Sequence, residues 1–131
     1  KFEDEIEIVN RYARYEREVK LKILLNKQSL QNLQILTREV PIANDLKKKA
    51  VEIVAATRQR KDLIEYGASP RASIGIILAA KAHALLNGRK YVSQKDLEAM
   101  AYPVLRHRLI LNFKAEREGK TADDVISAIL K

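Results

Sequence analysis

In the stretch GASPRAS, residues 67–73, an arginine stands in the first turn of what the sequence marks as a helix. Ser69 has the side chain of an N-cap, and Pro70 suits the N1 position, where a missing amide hydrogen costs nothing. That spacing puts Arg71 at N2, beside the positive end of the helix macrodipole. A cation there is unfavourable by roughly 0.3–1 kcal/mol unless an anion shares the site. Uncapped amides and a guanidinium together make a receptor for phosphate. The residues also allow a plainer reading, in which Arg71 pairs with a nearby carboxylate such as Glu65. Gly67 supplies a permissive backbone at the turn. With Ser69 it would set the aim of Arg71 without touching a ligand.

Few other residues have types and spacing suited to chemistry. There is no Walker-type phosphate loop and no GxGxxG, so nothing here cradles a nucleotide alone. His83 and His107 lack the i, i+3 or i+4 neighbours of a helical zinc pair. His83 suits a structural or surface role, and His107, between Arg106 and Arg108, suits a helix C-terminal charge or a packed position. Asp123 and Asp124 are helix-start charges before they are an acid/base couple. Serines 29, 69, 73, 93 and 127 have no general base in view. The chain by itself is expected to be neither a catalyst nor a metal binder.

The elements that must position Arg71 follow from composition and periodicity. The 131 residues suffice for one domain with a real core, and residues 1–131 are expected to form a single one. Hydrophobic residues at 47%, charged residues at 32% and scarce aromatics favour a helical globular protein over a disordered one. No apolar run approaches a membrane span and no signal peptide is visible. The lack of cysteine excludes disulfides and fits a cytoplasmic setting. Lys1 opens the chain without methionine, which suggests a segment of a longer protein. The net charge of +8 invites a nucleic-acid reading. Yet basic and acidic groups number 14 and 11 in residues 1–65 and 11 and 6 in residues 66–131, so the charge is mixed along the chain. A stand-alone basic module with a helix-turn-helix around 26–59 or 70–107 is the alternative. No candidate recognition helix there clusters Arg, Asn or Gln on one face.

Helical spacing predicts a first helix over about 3–17 and a second opened by Asn26 and broken at Pro41. A third is capped by Asn44 or Asp45. The fourth, from 70 to about 87, is apolar on nearly every side and is the expected central helix. Its strip Ala72, Gly75, Ala79 and Ala82 would let a neighbouring helix approach closely. Asn87-Gly88 supplies a left-handed stop. Ser93 opens a fifth helix with Asp96 in the capping-box position, and Pro103 should kink or end it. Thr121 caps the last. Alternation at 19–25 and at 109–113 predicts two short extended segments that could pair with each other, and EREGK is a turn. The expected fold is therefore all-α, five or six helices with those two extended segments.

The same residues carry a resemblance. The stretch ATRQRKDLIEYGASPRASIGIILAAKAHALLNGRKYVSQKDLEAMAYPVLRHRLIL resembles the C-terminal lid of the MoxR branch of AAA+ ATPases. GASPRAS, AKAHALLNGRKYVSQKDL and VLRHRL occur in the family's order, and DEIEIVNR and SLQNLQ resemble the start of that lid. The resemblance implies an AAA+ lid-type bundle whose ATPase core lies outside this chain. It implies that Arg71 is the sensor 2 arginine, directed at the γ-phosphate of ATP, with Mg, on that core. It further implies a hexameric, chaperone-like ATPase. The implied partners are the protein's own core, neighbouring subunits and a von Willebrand factor A domain protein. Arg58, in the matching ATR, would face the core or a neighbouring subunit, or serve as a helix C-terminal cation.

Overall fold

Seven helices and one small ribbon lie among the residues that the computed structural model describes, 1–13 and 21–131; the third helix is preceded by Ala43 and has no side-chain cap, so neither Asn44 nor Asp45 caps it as expected. The described residues fall into two units, Lys1–Leu30 and Gln31–Lys131. In the first, α1 (Phe2–Tyr12) starts on Glu3, Asp4 and Glu5 and carries Arg11 in its last turn, matching the helix dipole. Its Phe2, Ile6 and Val9 are exposed. The predicted continuation to residue 17 lies mostly outside the described residues. So does the start of the predicted extended segment 19–25, and its described part, 21–25, forms no strand. Asn26 caps α2 (Lys27–Glu39) as predicted, its Oδ1 accepting from Ser29 N at 2.7 Å.

In the second unit follow α3 (Asn44–Gln59), β1 (Ile64–Tyr66), α4 (Arg71–Leu86), α5 (Gln94–Leu105), β2 (Ile110–Leu111), α6 (Phe113–Arg117) and α7 (Ala122–Leu130). The core takes Ile53 and Val54 from α3, Ile64 from β1, Ile76 from α4, Leu97 and Leu105 from α5, and Val125 and Ile126 from α7. Each such side chain contributes about 1.5–3 kcal/mol when fully buried. An exposed pair such as Arg106–Asp123, at 2.8 Å, contributes about 0–1 kcal/mol. Apolar packing therefore dominates this unit.

The face that α4 buries is mostly alanine: Ala72, Ala80 and Ala84 flank Ile76. Small side chains let α5 come close. A Cβ built on Gly75 would sit 3.2 Å from Val104 Cγ1. Yet α4 is not enclosed on every side as its composition predicts, because Ile74 and Leu78 remain 60% and 39% exposed. They lie three and seven positions after Arg71, on the same helix face. The helix ends at Gly88, with φ 70°, where Gly88 N donates to Leu85 O and Arg89 N to Ala84 O. This is a Schellman stop, as Asn87-Gly88 predicts.

Two expectations are corrected. Helix α5 does not end at Pro103, one of the two outcomes expected there, but runs to Leu105, because Arg106 N closes onto Tyr102 O at 3.0 Å and buried Ala101 and Leu105 hold the last turn. The segment at 109–113 pairs with β1 and not with the described residues 21–25: β2 runs antiparallel to β1, Ile64 opposite Leu111 and Tyr66 opposite Ile110. It also stops before Asn112, which starts α6 by accepting from Ala115 N at 2.9 Å. The same Asn112 ties this corner to the turn between α3 and β1, donating from N to Leu63 O and from Nδ2 to Lys61 O.

Candidate functional site

The turn that presents Arg71 is fastened to the last turn of α3. Thr57 is fully buried; its hydroxyl donates to Val54 O at 2.7 Å and accepts from Ala68 N at 3.0 Å. Arg58 Nη1 donates to Ala68 O at 2.8 Å and more weakly to Val54 O at 3.5 Å. Both polar groups of the Ala68 backbone are thus satisfied by adjacent residues of one helix end, as buried backbone requires. Between these contacts lies Gly67, where a Cβ would stand 2.6 Å from Thr57 O and 2.8 Å from Arg58 N. Positive φ among the described residues occurs at Gly88 and Gly119 and not here. Glycine is needed at 67 for close backbone approach, which corrects the expectation of conformational permissiveness.

The helix opening also differs from expectation. Pro70, and not Ser69, is the N-cap residue of α4; it has helical dihedrals (φ −54°, ψ −25°), which puts Arg71 at N1, one position nearer the helix start than expected. It is the Ser69 carbonyl, however, that takes the first bond, from Ala72 N at 2.9 Å, and Ser73 N donates to Pro70 O at 3.1 Å. Ser69 Oγ caps nothing among the described residues. Two of the amides that the sequence leaves open to an anion are therefore closed into the first turn. The guanidinium of Arg71 is exposed and has no hydrogen bond or ion pair among the described residues; Glu65 does not engage it. Its charge stays near the positive end of α4, without the carboxylate that would offset it.

Arg58 is accounted for at this corner: it is a C-terminal cation of α3 that also holds the turn. His107 is exposed, and its Nε2 accepts from Arg108 Nε at 3.3 Å. No group of three His, Cys, Asp or Glu among the described residues could hold a metal ion. No helix there is long and apolar enough to cross a membrane.

A second polar cluster closes the far end of α4. Asp96, fully buried, receives Arg89 Nη1, Ser93 N (2.8 Å) and Ser93 Oγ (2.7 Å) on Oδ2. On Oδ1 it receives Arg89 Nη2 and His83 Nδ1, each at 2.6 Å. Arg89 above all, then Ser93 and His83, hold the Asp96 carboxyl far below the ordinary carboxylate range against the opposing effect of burial. The sequence marks Asp96 as a capping residue and His83 as structural, but Arg89 attracts no notice in it. The signal was the left-handed Gly88, which turns the chain so that Arg89 points back at the start of α5.

A short-loop helical unit with a tiny two-stranded ribbon matches the lid architecture of AAA+ proteins. Residues 49–129 match the AAA lid domain family, and the chain belongs to it. It is the C-terminal lid of the MoxR type. Over 118 residues it is 36% identical to Chaperone MoxR1 of Mycobacterium tuberculosis (strain H37Rv), spanning 84% of this chain and 31% of that one. Over 129 residues it is 32% identical to the uncharacterized protein YeaC of Bacillus subtilis (strain 168), spanning 98% of this chain and 40% of that one. A crystal structure from Cytophaga hutchinsonii, provisionally assigned as an ATPase, superimposes with a TM-score of 0.78 at 33% identity, over 99% of this chain and 42% of that one. The chain thus spans less than half the length of these relatives.

Proposed function

We propose that this lid works on an ATPase core in the same protein, with Arg71 as its sensor 2 residue. The exposed guanidinium of Arg71, uncommitted within the described residues and set on a fastened turn, carries the reading. A planar cation with all its donors free suits phosphoryl oxygens. Mg-ATP held by the core would supply the terminal phosphoryl group and the charge that Arg71 meets. Arg71 then has two tasks. It offsets charge developing on the phosphoryl oxygens, and it binds the lid to the core more tightly while those oxygens are present. Loss of that contact would free the lid to change its angle, a population shift driven by a difference in contacts. Ser69 and Gly67 support the arginine through the backbone and do not touch nucleotide. Ile74 and Leu78, exposed on the same helix face, provide apolar surface for the core beside the arginine. Similarity to Chaperone MoxR1 supports a chaperone-like role; on this reading the whole protein would be a hexameric ATPase of the cytoplasm. Neighbouring subunits and a von Willebrand factor A domain protein would be its partners.

The test is Arg71→Ala in the full-length protein. ATP turnover should fall on the order of 10²-fold, as for loss of one charge-stabilising donor, while the thermal stability of the lid does not fall, because the side chain is exposed and its charge is unfavourable at the helix start. Turnover and nucleotide affinity both equal to those of the wild type would refute the assignment.

A further inference from the structure

We infer that Thr57 and Arg58, at the end of α3, are positioning residues for Arg71; this rests on the sensor reading above. The chain from their contacts to the arginine has almost no freedom. At one end Ala68 is pinned through N to Thr57 Oγ1 (3.0 Å) and through O to Arg58 Nη1 (2.8 Å). Gly67 presses on the same helix end, with room for no Cβ. Ser69 precedes proline and is thereby restricted to extended backbone. Pro70 has its φ locked by its ring. Beyond it, the Ala72 and Ser73 amides close the first turn of α4, and both residues are buried. From the end of α3 to the Arg71 Cα the path is a short strut with one loosely constrained residue. The position of the Arg71 Cα, and the direction in which its side chain leaves the backbone, are therefore set by α3 as much as by α4.

Thr57 makes the inference separable from direct contact. Its side chain is wholly buried and its hydroxyl is committed to Val54 O and Ala68 N. It cannot reach a nucleotide or a neighbouring subunit. Any effect of its hydroxyl on nucleotide chemistry must travel through the turn. Thr57→Val keeps the shape and removes the acceptor, leaving the buried Ala68 N–H without a partner. Thr57→Ser restores the acceptor.

The experiment is a double-mutant cycle in the full-length protein, measuring kcat and KM for ATP alongside amide hydrogen exchange across residues 68–73. Thr57→Val and Arg58→Ala should each lower kcat/KM on the order of tenfold, the scale of a misaimed group. Each should also speed exchange in this segment on the order of tenfold, and Thr57→Ser should return both within about twofold of wild type. In an Arg71→Ala background the further loss of kcat/KM should be under about twofold, because residues that act as a unit do not add. Losses that multiply with that of Arg71→Ala, or exchange unchanged in both variants, overturn the inference. Kinetics unaffected by Arg71→Ala overturn the sensor reading instead, while the exchange data still judge the strut. Should Thr57→Val not fold, Arg58→Ala carries the cycle, since Thr57 still holds the Ala68 N–H in that variant.

Discussion

Replacing Asp96 with asparagine alters the shape of a buried site hardly at all and its chemistry completely. The carboxylate accepts from Arg89 twice, from Ser93 twice and from His83 once. An amide can be turned two ways. Either its NH2 faces Arg89 Nη1 and the two Ser93 donors, or it faces Arg89 Nη2 and His83. In both, donors meet donors inside a site with no solvent access at residue 96. Removing the charged member of a buried pair costs about 3–5 kcal/mol; because the remaining amide oxygen still accepts, about 3 kcal/mol is expected. For a domain of this size that lowers Tm by roughly 10 °C. The pH dependence follows with its sign. The folded-state pKa of Asp96 is depressed, so its contribution is fully present above the unfolded value, near about 4. It declines as pH falls toward the folded value. Below about pH 4 the wild type should lose stability relative to the variant by about 1.4 kcal/mol per pH unit. Urea unfolding of both proteins from pH 7 to pH 2.5 measures the gap, with the groups that do not touch residue 96 cancelling. A gap under about 1 kcal/mol at pH 7, or one that stays flat down to pH 2.5, would refute this account of the cluster.

Two further substitutions test the corners that frame the arginine. Gly67→Ala should destabilise by about 1–3 kcal/mol, the range for overpacking, since its Cβ meets the Thr57 carbonyl at 2.6 Å. Stability within about 0.5 kcal/mol of wild type in thermal unfolding would mean that the approach is looser than described. Asn112→Ala removes both the cap of α6 and the bond to Lys61 O. It should cost about 1–2 kcal/mol and raise amide exchange at Ala115 before elsewhere, a pattern that exchange mass spectrometry can resolve.

Local chemistry made much of this protein legible before any coordinates. Asn26, Ser93 and Thr121 start helices where their side chains say they should, and Gly88 stops one, because capping acts within a few residues. The GASPRAS motif singled out Arg71 through a purely local conflict, a cation at the wrong end of a dipole. What residues alone left undecided were partners distant in the chain. The β1 segment is too short to show a period, and its pairing with Ile110–Leu111 is set by Asn112 reaching back to Lys61 and Leu63. Arg89 looks like any surface cation until Gly88 turns it toward Asp96. The purpose of Gly67 lies in a helix end ten residues earlier, in a distance no sequence displays. The sequence by itself determined where its side-chain-capped helices begin, where Gly88 stops one, and which arginine is out of place. Only the tertiary structure decided what aims that arginine, because aim depends on contacts between segments that the chain order keeps apart.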